Sequence, residues 1–220
     1  MIIESRFNGP PGSGNGGWSA GVFAAASGAP GPVEVTLRRP PPLETPLTVV
    51  DGEVRGPDGV VVAQVRPAQD ARTVVPPVDL PTARAASAAY PGLVDHPFPG
   101  CYVCGPDRPD GLRIFPGRLP DGRTAAPFRV PGPVTAATVW AALDCPGGWA
   151  VIAPGRPYVL GRISATVAAL PAPGDECVVT GAMVGGEGRK ALVHTSLYAP
   201  DGTLLAWARA TWIAVAAHAG

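Results

Sequence analysis

The sequence predicts an α+β fold built from two similar units, each a buried helix wrapped by an antiparallel sheet. Three observations predict it. Residues 57–63 (Pro-Asp-Gly-Val-Val-Val-Ala) and 200–206 (Pro-Asp-Gly-Thr-Leu-Leu-Ala) repeat a turn followed by an apolar run, the pattern of a hairpin entering a strand. Gly16-Gly17-Trp18 is echoed by Gly147-Gly148-Trp149, ahead of each turn. The order of elements also recurs: a helix of small apolar residues, then three or four strands. Two landmarks in the same order point to a duplicated unit of roughly 100 residues, within the usual size of one domain.

Along the chain, residues 1–7 read as a short strand and 8–17 as a glycine-rich segment. Residues 18–27 are small and apolar nearly all round, the composition of a buried helix. Residues 33–37 form a strand, and Pro40-Pro41-Pro42 forces an extended break. Residues 47–54 and 60–66 pair as a hairpin around Gly56-Pro57-Asp58-Gly59. Residues 67–100 are rich in Pro and Ala and lack periodicity, as expected of a connection between units. Residues 123–130 are a strand and 135–145 a helix, with Thr135 as its N-cap after Pro133 and Pro146 interrupting it. Residues 161–169, 176–184, 191–198 and 203–215 are strands, the last three a meander with turns at Gly185-Gly186 and Pro200-Asp201-Gly202. The predicted boundaries are an N-terminal unit at 1–75, a linker at 76–100 and a C-terminal unit at 101–220.

Composition narrows the function. The chain has 220 residues, enough for a substantial core without disulfides. Gly and Pro, 29 each, are abundant, but 46% apolar and 15% charged residues do not describe a disordered chain. Lys190 is the single lysine among 17 basic residues, a bias expected of GC-rich coding. Net charge is zero with no basic block, so nothing favours nucleic acid. No apolar run reaches the ~18 residues of a membrane span, and the N-terminus has no signal-peptide pattern. A cytoplasmic location with four reduced cysteines is the expectation.

The element order resembles the hotdog fold of acyl-CoA thioesterases and dehydratases, and two such units in one chain resemble a double-hotdog protein. The run Cys101-Tyr-Val-Cys104-Gly-Pro-Asp-Arg-Pro-Asp-Gly-Leu112 is similar to the opening of hotdog thioesterase domains of the phenylacetate-pathway type. Trp140-Ala-Ala-Leu-Asp144-Cys145 resembles the family's helix segment ending in Leu-Asp, where the acid is catalytic. Asn15-Gly-Gly-Trp18-Ser-Ala-Gly resembles its His-Gly-Gly helix start, with Asn15 in the histidine position. In the family the histidine precedes the acid by about nine residues on one helix; here that spacing sets Ala24 after Asn15 and Thr135 before Asp144, so neither half has both groups. This register does not superpose the two Gly-Gly-Trp copies, and the Leu-Asp register is preferred.

The resemblance implies Asp144 as general base or nucleophile on a thioester, and read from the residues alone Asp144 also suits a cap before Pro146. Asn15 is one of two asparagines, with Asn8; it is either a helix cap or a carbonyl- or water-orienting amide. The N–H groups of Gly16, Gly17 and Trp18 at a helix start can stabilise an oxyanion. By the same resemblance a hydroxyl downstream of the acid positions water, which selects Thr166, beside Ser164, although a strand threonine needs no such role. Trp18, Trp140 and Trp149 are core or pocket walls, with Trp18 and Trp140 assigned to the substrate. His194 reads as a strand residue. Cys101 and Cys104, with His96 and Cys145, have zinc-like spacing, but there is no second Cys-x-x-Cys and the family carries the motif without metal, so neither metal nor other cofactor is expected. The expected function is hydrolysis of an acyl-CoA or acyl-carrier-protein thioester at one site shared by both halves. A dehydratase or tailoring enzyme, or a non-catalytic acyl-binding protein, is the alternative. The expected state is a monomeric pseudo-dimer or a homo-oligomer, with no nucleic-acid or membrane partner.

Overall fold

The structure, a computed structural model, describes residues 1–69, 72 and 74–216. Its elements are α1 (Gly16–Ser27), β1 (Val33–Leu37), β2 (Thr48–Val50), β3 (Glu53–Arg55), β4 (Val61–Pro67), α2 (Leu80–Ala88), β5 (Gly117–Arg118), β6 (Thr124–Arg129), α3 (Ala136–Ala142), α4 (Cys145–Trp149), β7 (Tyr158–Val167), β8 (Glu176–Glu187), β9 (Lys190–Tyr198) and β10 (Leu204–Ala214). The ten strands form one antiparallel sheet in the order β2-β3-β4-β1-β7-β10-β9-β8-β6-β5. Read outward from the central β1–β7 pair, β1-β4-β3-β2 and β7-β10-β9-β8 have the same order. The halves are therefore pseudo-symmetric and share a continuous sheet, joined where Val35 faces Ile163.

The repeated Pro-Asp-Gly is the same hairpin in each half, β3–β4 and β9–β10. The aspartates explain the repetition: Asp58 Oδ1 accepts the Val60 N–H at 3.0 Å and Asp201 Oδ1 accepts the Thr203 N–H at 2.9 Å, so each side chain closes its own turn. The helices agree with the Leu-Asp register. Asn15 caps α1 and Thr135 caps α3 with a reciprocal capping box to Thr138. Gly147–Trp149 falls in α4, which has no counterpart in the first half. The Gly-Gly-Trp echo therefore has no structural equivalence.

Helices α1 and α3 pack side by side over one face of the sheet, with Phe23, Val139, Val35, Ile163 and Leu197 in their common core. Their closeness depends on glycine. A Cβ on Gly21 would lie 2.8 Å from Ala137 Cα and 2.9 Å from Trp140 Cβ; one on Gly17 would lie 2.5 Å from Asp144 Cβ and 2.7 Å from the Trp140 carbonyl oxygen. The small-residue face of α1 thus serves contact with another helix as well as the sheet.

Four local expectations change. Residues 1–7 make no strand: Ser5–Phe7 is a 3₁₀ turn, and the preceding residues bond to a loop through Glu44 N–H to Ile3 O and Leu47 N–H to Met1 O. The run 47–54 is broken at Asp51-Gly52 into β2 and β3, because both residues take positive φ there. The β8–β9 turn is at Gly188-Arg189, while Gly185 and Gly186 remain inside β8 at a register shift. The Pro- and Ala-rich connection contains α2, which starts with Asp79 accepting the Thr82 N–H. This helix buries Ala83 and Ala86 against Leu119, Ala125 and Val178. Ala126 and Val179, one residue on along the same strands, belong to the main core, so α2 covers the opposite face of the sheet. Before α2, the chain is tied to that face by Val75, whose N–H meets Ser196 Oγ and whose carbonyl accepts from Tyr198 Oη and Thr180 Oγ1. No helix among the described residues is long and apolar enough to cross a membrane.

Candidate active site

The start of α1 meets the end of α3 at the seam between the halves. Asn15 adopts extended backbone before the helix, and its side chain accepts the Trp18 N–H through Oδ1 at 2.8 Å. Its other end, Nδ2, donates to Asp144 Oδ2 at 3.2 Å. The Gly17 N–H donates to the same carboxylate oxygen at 2.9 Å. Asn15 therefore caps α1 and also bonds Asp144 through its amide nitrogen. Asp144 stands at the cap position of α4, yet its side chain makes no cap bond. It turns instead to the N-terminus of the other half's helix, where negative charge is favoured.

Asp144 is buried, and its second oxygen, Oδ1, is buried without a hydrogen-bond partner. Burial pushes its carboxyl up to about 7, against the opposing effect of the Gly17 and Asn15 donors. The Gly16 N–H has no acceptor among the described residues. Gly16, Asn15 and Asp144 all line one cavity of about 450 Å³. Its walls are Trp149, Ile152, Tyr158, Leu160, Trp212 and Phe98, with Arg38 and Arg39 exposed at the solvent side. An apolar cleft with few polar groups at one end is the usual form of a small-molecule site.

The other predicted residues are distributed differently. Trp18 stacks on Phe7 with ring centroids 3.7 Å apart and meets Tyr102 edge-on, outside the cavity lining. Trp140 is buried against Gly21 between the two helices. Thr166 pairs with Trp207 on β10, and its neighbours Ile163 and Ala165 face the core, so it and Ser164 stand on the face away from α1 and α3. His194 is on β9, outside the cavity lining. Asn8 is architectural: its Nδ2 donates to Gly100 O and its carbonyl accepts the Tyr102 N–H, both at 2.8 Å. It pins the cysteine loop beside α1.

That loop brings groups that the sequence did not assign to the site. His96, Cys101, Cys104 and Cys145 line the same cavity. The sulfurs of Cys101, Cys104 and Cys145 lie within 4.8 Å of one another, and Cys101 Sγ is 3.8 Å from Asn15 Nδ2. The Cys-x-x-Cys motif was a signal for two of these, whereas Tyr158, Leu160 and Trp212 are ordinary strand residues with nothing to mark them.

No protein-family model matches the sequence, and no curated protein matches it significantly. Solved structures do. A candidate thioesterase from Novosphingobium aromaticivorans aligns over 97% of this chain and 93% of its own, with 19% identity and a TM-score of 0.61. A candidate thioesterase II from Thermobifida fusca aligns over 98% and 95%, with 13% identity and a TM-score of 0.59. A protein from Alicyclobacillus acidocaldarius described by its hot dog fold aligns over 98% and 92%, with 15% identity and a TM-score of 0.58. Likeness along nearly the whole chain, together with the pseudo-symmetric sheet and its paired helices, establishes that this protein has the double-hotdog fold.

Proposed function

We propose that the protein hydrolyses an acyl thioester, of CoA or of a carrier protein, at a single site between its halves. The observation that carries this reading is the Asp144 carboxylate held on the α1 N-terminus with one oxygen bonded and the other unpaired. Gly17 and Asn15 fix Oδ2. Oδ1, left without a partner, is the atom to receive a proton. In the reaction, water adds to the thioester carbonyl carbon and yields a proton to Asp144. The oxygen that gains charge is met by the Gly16 N–H at the helix start. The C–S bond then breaks, and the leaving thiolate takes the proton from Asp144. Of the three N–H groups expected to form an oxyanion site, only Gly16 serves, since Gly17 holds Asp144 and Trp18 is capped.

The apolar walls suit an acyl chain, and Arg38 and Arg39 place positive charge where the phosphates of CoA or a phosphopantetheine arm would enter. The pseudo-symmetric position, with Thr135 at the cap and Ala24 where the acid would stand, has no carboxylate, which supports one site rather than two. A dehydratase reading gains no support from His96: its Nδ1 accepts the Phe98 N–H and its Nε2 contacts Cys104 Sγ, so neither nitrogen is left to act as a base. The test is a panel of acyl-CoA and acyl-carrier-protein thioesters assayed for free thiol. Asp144→Asn, nearly the same size, is expected to lower kcat by about 10²–10⁴-fold, the range for loss of a general base. Full activity in that variant, or a wild-type protein that cleaves nothing in the panel, overturns the proposal.

A further inference from the structure

We propose that Cys101, Cys104 and Cys145 bind one zinc ion through three thiolates beside the Asp144 site, with water from the cavity as fourth ligand. The inference does not rest on the hydrolase reading. Its first support is convergence. Cys101 and Cys104 come from the loop after the linker and Cys145 from the first residue of α4, yet all three sulfurs lie within 4.8 Å of one another. Zinc–sulfur bonds of about 2.3 Å in a tetrahedron separate sulfurs by roughly 3.8 Å. Small side-chain adjustments reach that spacing. An iron–sulfur cluster, which spreads its cysteines around several metal atoms, needs a wider cage than this, and a tight set of soft thiolates around one ion selects zinc.

The second support is the set of N–H groups aimed at the sulfurs. Asn15 Nδ2 approaches Cys101 Sγ at 3.8 Å. His96 adds another donor: because its Nδ1 accepts the Phe98 N–H at 2.8 Å, its ring proton is on Nε2, 3.4 Å from Cys104 Sγ. This tautomer makes His96 an outer partner of the thiolate rather than a ligand. Two donors, one at each of two buried sulfurs, are an environment for negative charge. No lysine or arginine side chain is bonded to these sulfurs among the described residues. Buried charge of this kind is paired or holds a metal, and donors to the ligand atoms are the usual outer shell of a metal site. Ordinary buried thiols would need none of them.

The consequence for the site is mechanical. The ion would tie the loop carrying Cys101 to the residue following Asp144, and Cys101 in turn touches Asn15. The test is metal analysis of the full chain expressed with zinc and purified under reducing conditions without chelators. About one zinc per chain is expected, as for a single tetrahedral site. Cobalt(II) added to chelator-treated wild type should produce the thiolate-to-metal charge-transfer band and the strong visible bands of tetrahedral coordination. Cys104→Ser and Cys145→Ser should lose the zinc. If those variants do not fold, the wild-type cobalt spectrum decides. Folded wild type that takes up neither ion, a Cys101–Cys104 disulfide in the intact mass, or an iron–sulfur chromophore each overturns the proposal.

Discussion

Asn15 shows how much one side chain can carry. Its oxygen caps α1 and its amide nitrogen restrains Asp144. The two roles separate in Asn15→Asp, which keeps the cap acceptor but sets a second carboxylate oxygen 3.2 Å from Asp144 Oδ2 where a donor stood. Repulsion should displace Asp144. The expected result is a fall in kcat on the order of ten- to hundredfold, as for loss of a hydrogen bond to a charged group, together with a lower thermal midpoint from the second buried carboxylate. An unchanged kcat in the thiol-release assay would show that the contact does not position the acid. At this scale short motifs singled out Asp144, Asn15 and Gly16, which the structure brings together at one cavity. The sequence misplaced Trp18, Trp140 and Thr166. A tryptophan next to a motif need not face the ligand, and strand alternation assigns Thr166 to the far side of the sheet.

The elements explain why α1 contains glycine inside a helix, where it costs about 1 kcal/mol relative to alanine. Gly21 lets α3 approach until Ala137 Cα and Trp140 Cβ leave no room for a methyl group. Gly21→Ala should therefore destabilise despite its better helix propensity, since overpacking of about 1–3 kcal/mol outweighs that gain. Denaturant titration should show a lower midpoint with an unchanged slope; a higher midpoint would mean that the helices can part without cost. The long strands β7–β10 and both helices were legible from apolar periodicity and capping residues. The short elements were not. The 3₁₀ turn at Ser5–Phe7 and the break at Asp51-Gly52 are decided by backbone bonds to distant residues, and α2 is a nine-residue helix of mixed composition that stands against the sheet.

The whole molecule is two halves sharing one sheet, one helix pair and a cavity lined from both. The β1–β7 ladder joins the halves, and α1 packs on α3. Separating them would expose the unpaired β7 edge and the apolar face of α3, both hazards for aggregation. Residues 101–220 expressed alone should be insoluble or oligomeric, whereas the full chain should unfold in one transition that coincides by near- and far-ultraviolet circular dichroism. A monomeric, folded half would show that the seam contributes little. From the sequence alone came the duplicated architecture, through the paired Pro-Asp-Gly turns whose aspartates close them locally, and Asp144 as the candidate acid, through a motif at the end of a helix of small residues. These signals are local, so they survive without knowledge of the fold. The tertiary structure decided what joins Asn15 to Asp144 across 129 positions, which N–H groups at the α1 start are engaged, and that Cys145 meets Cys101 and Cys104. Each is a contact between segments far apart in the chain, created when α1 and α3 bury their faces together, and no periodicity in either segment records the other.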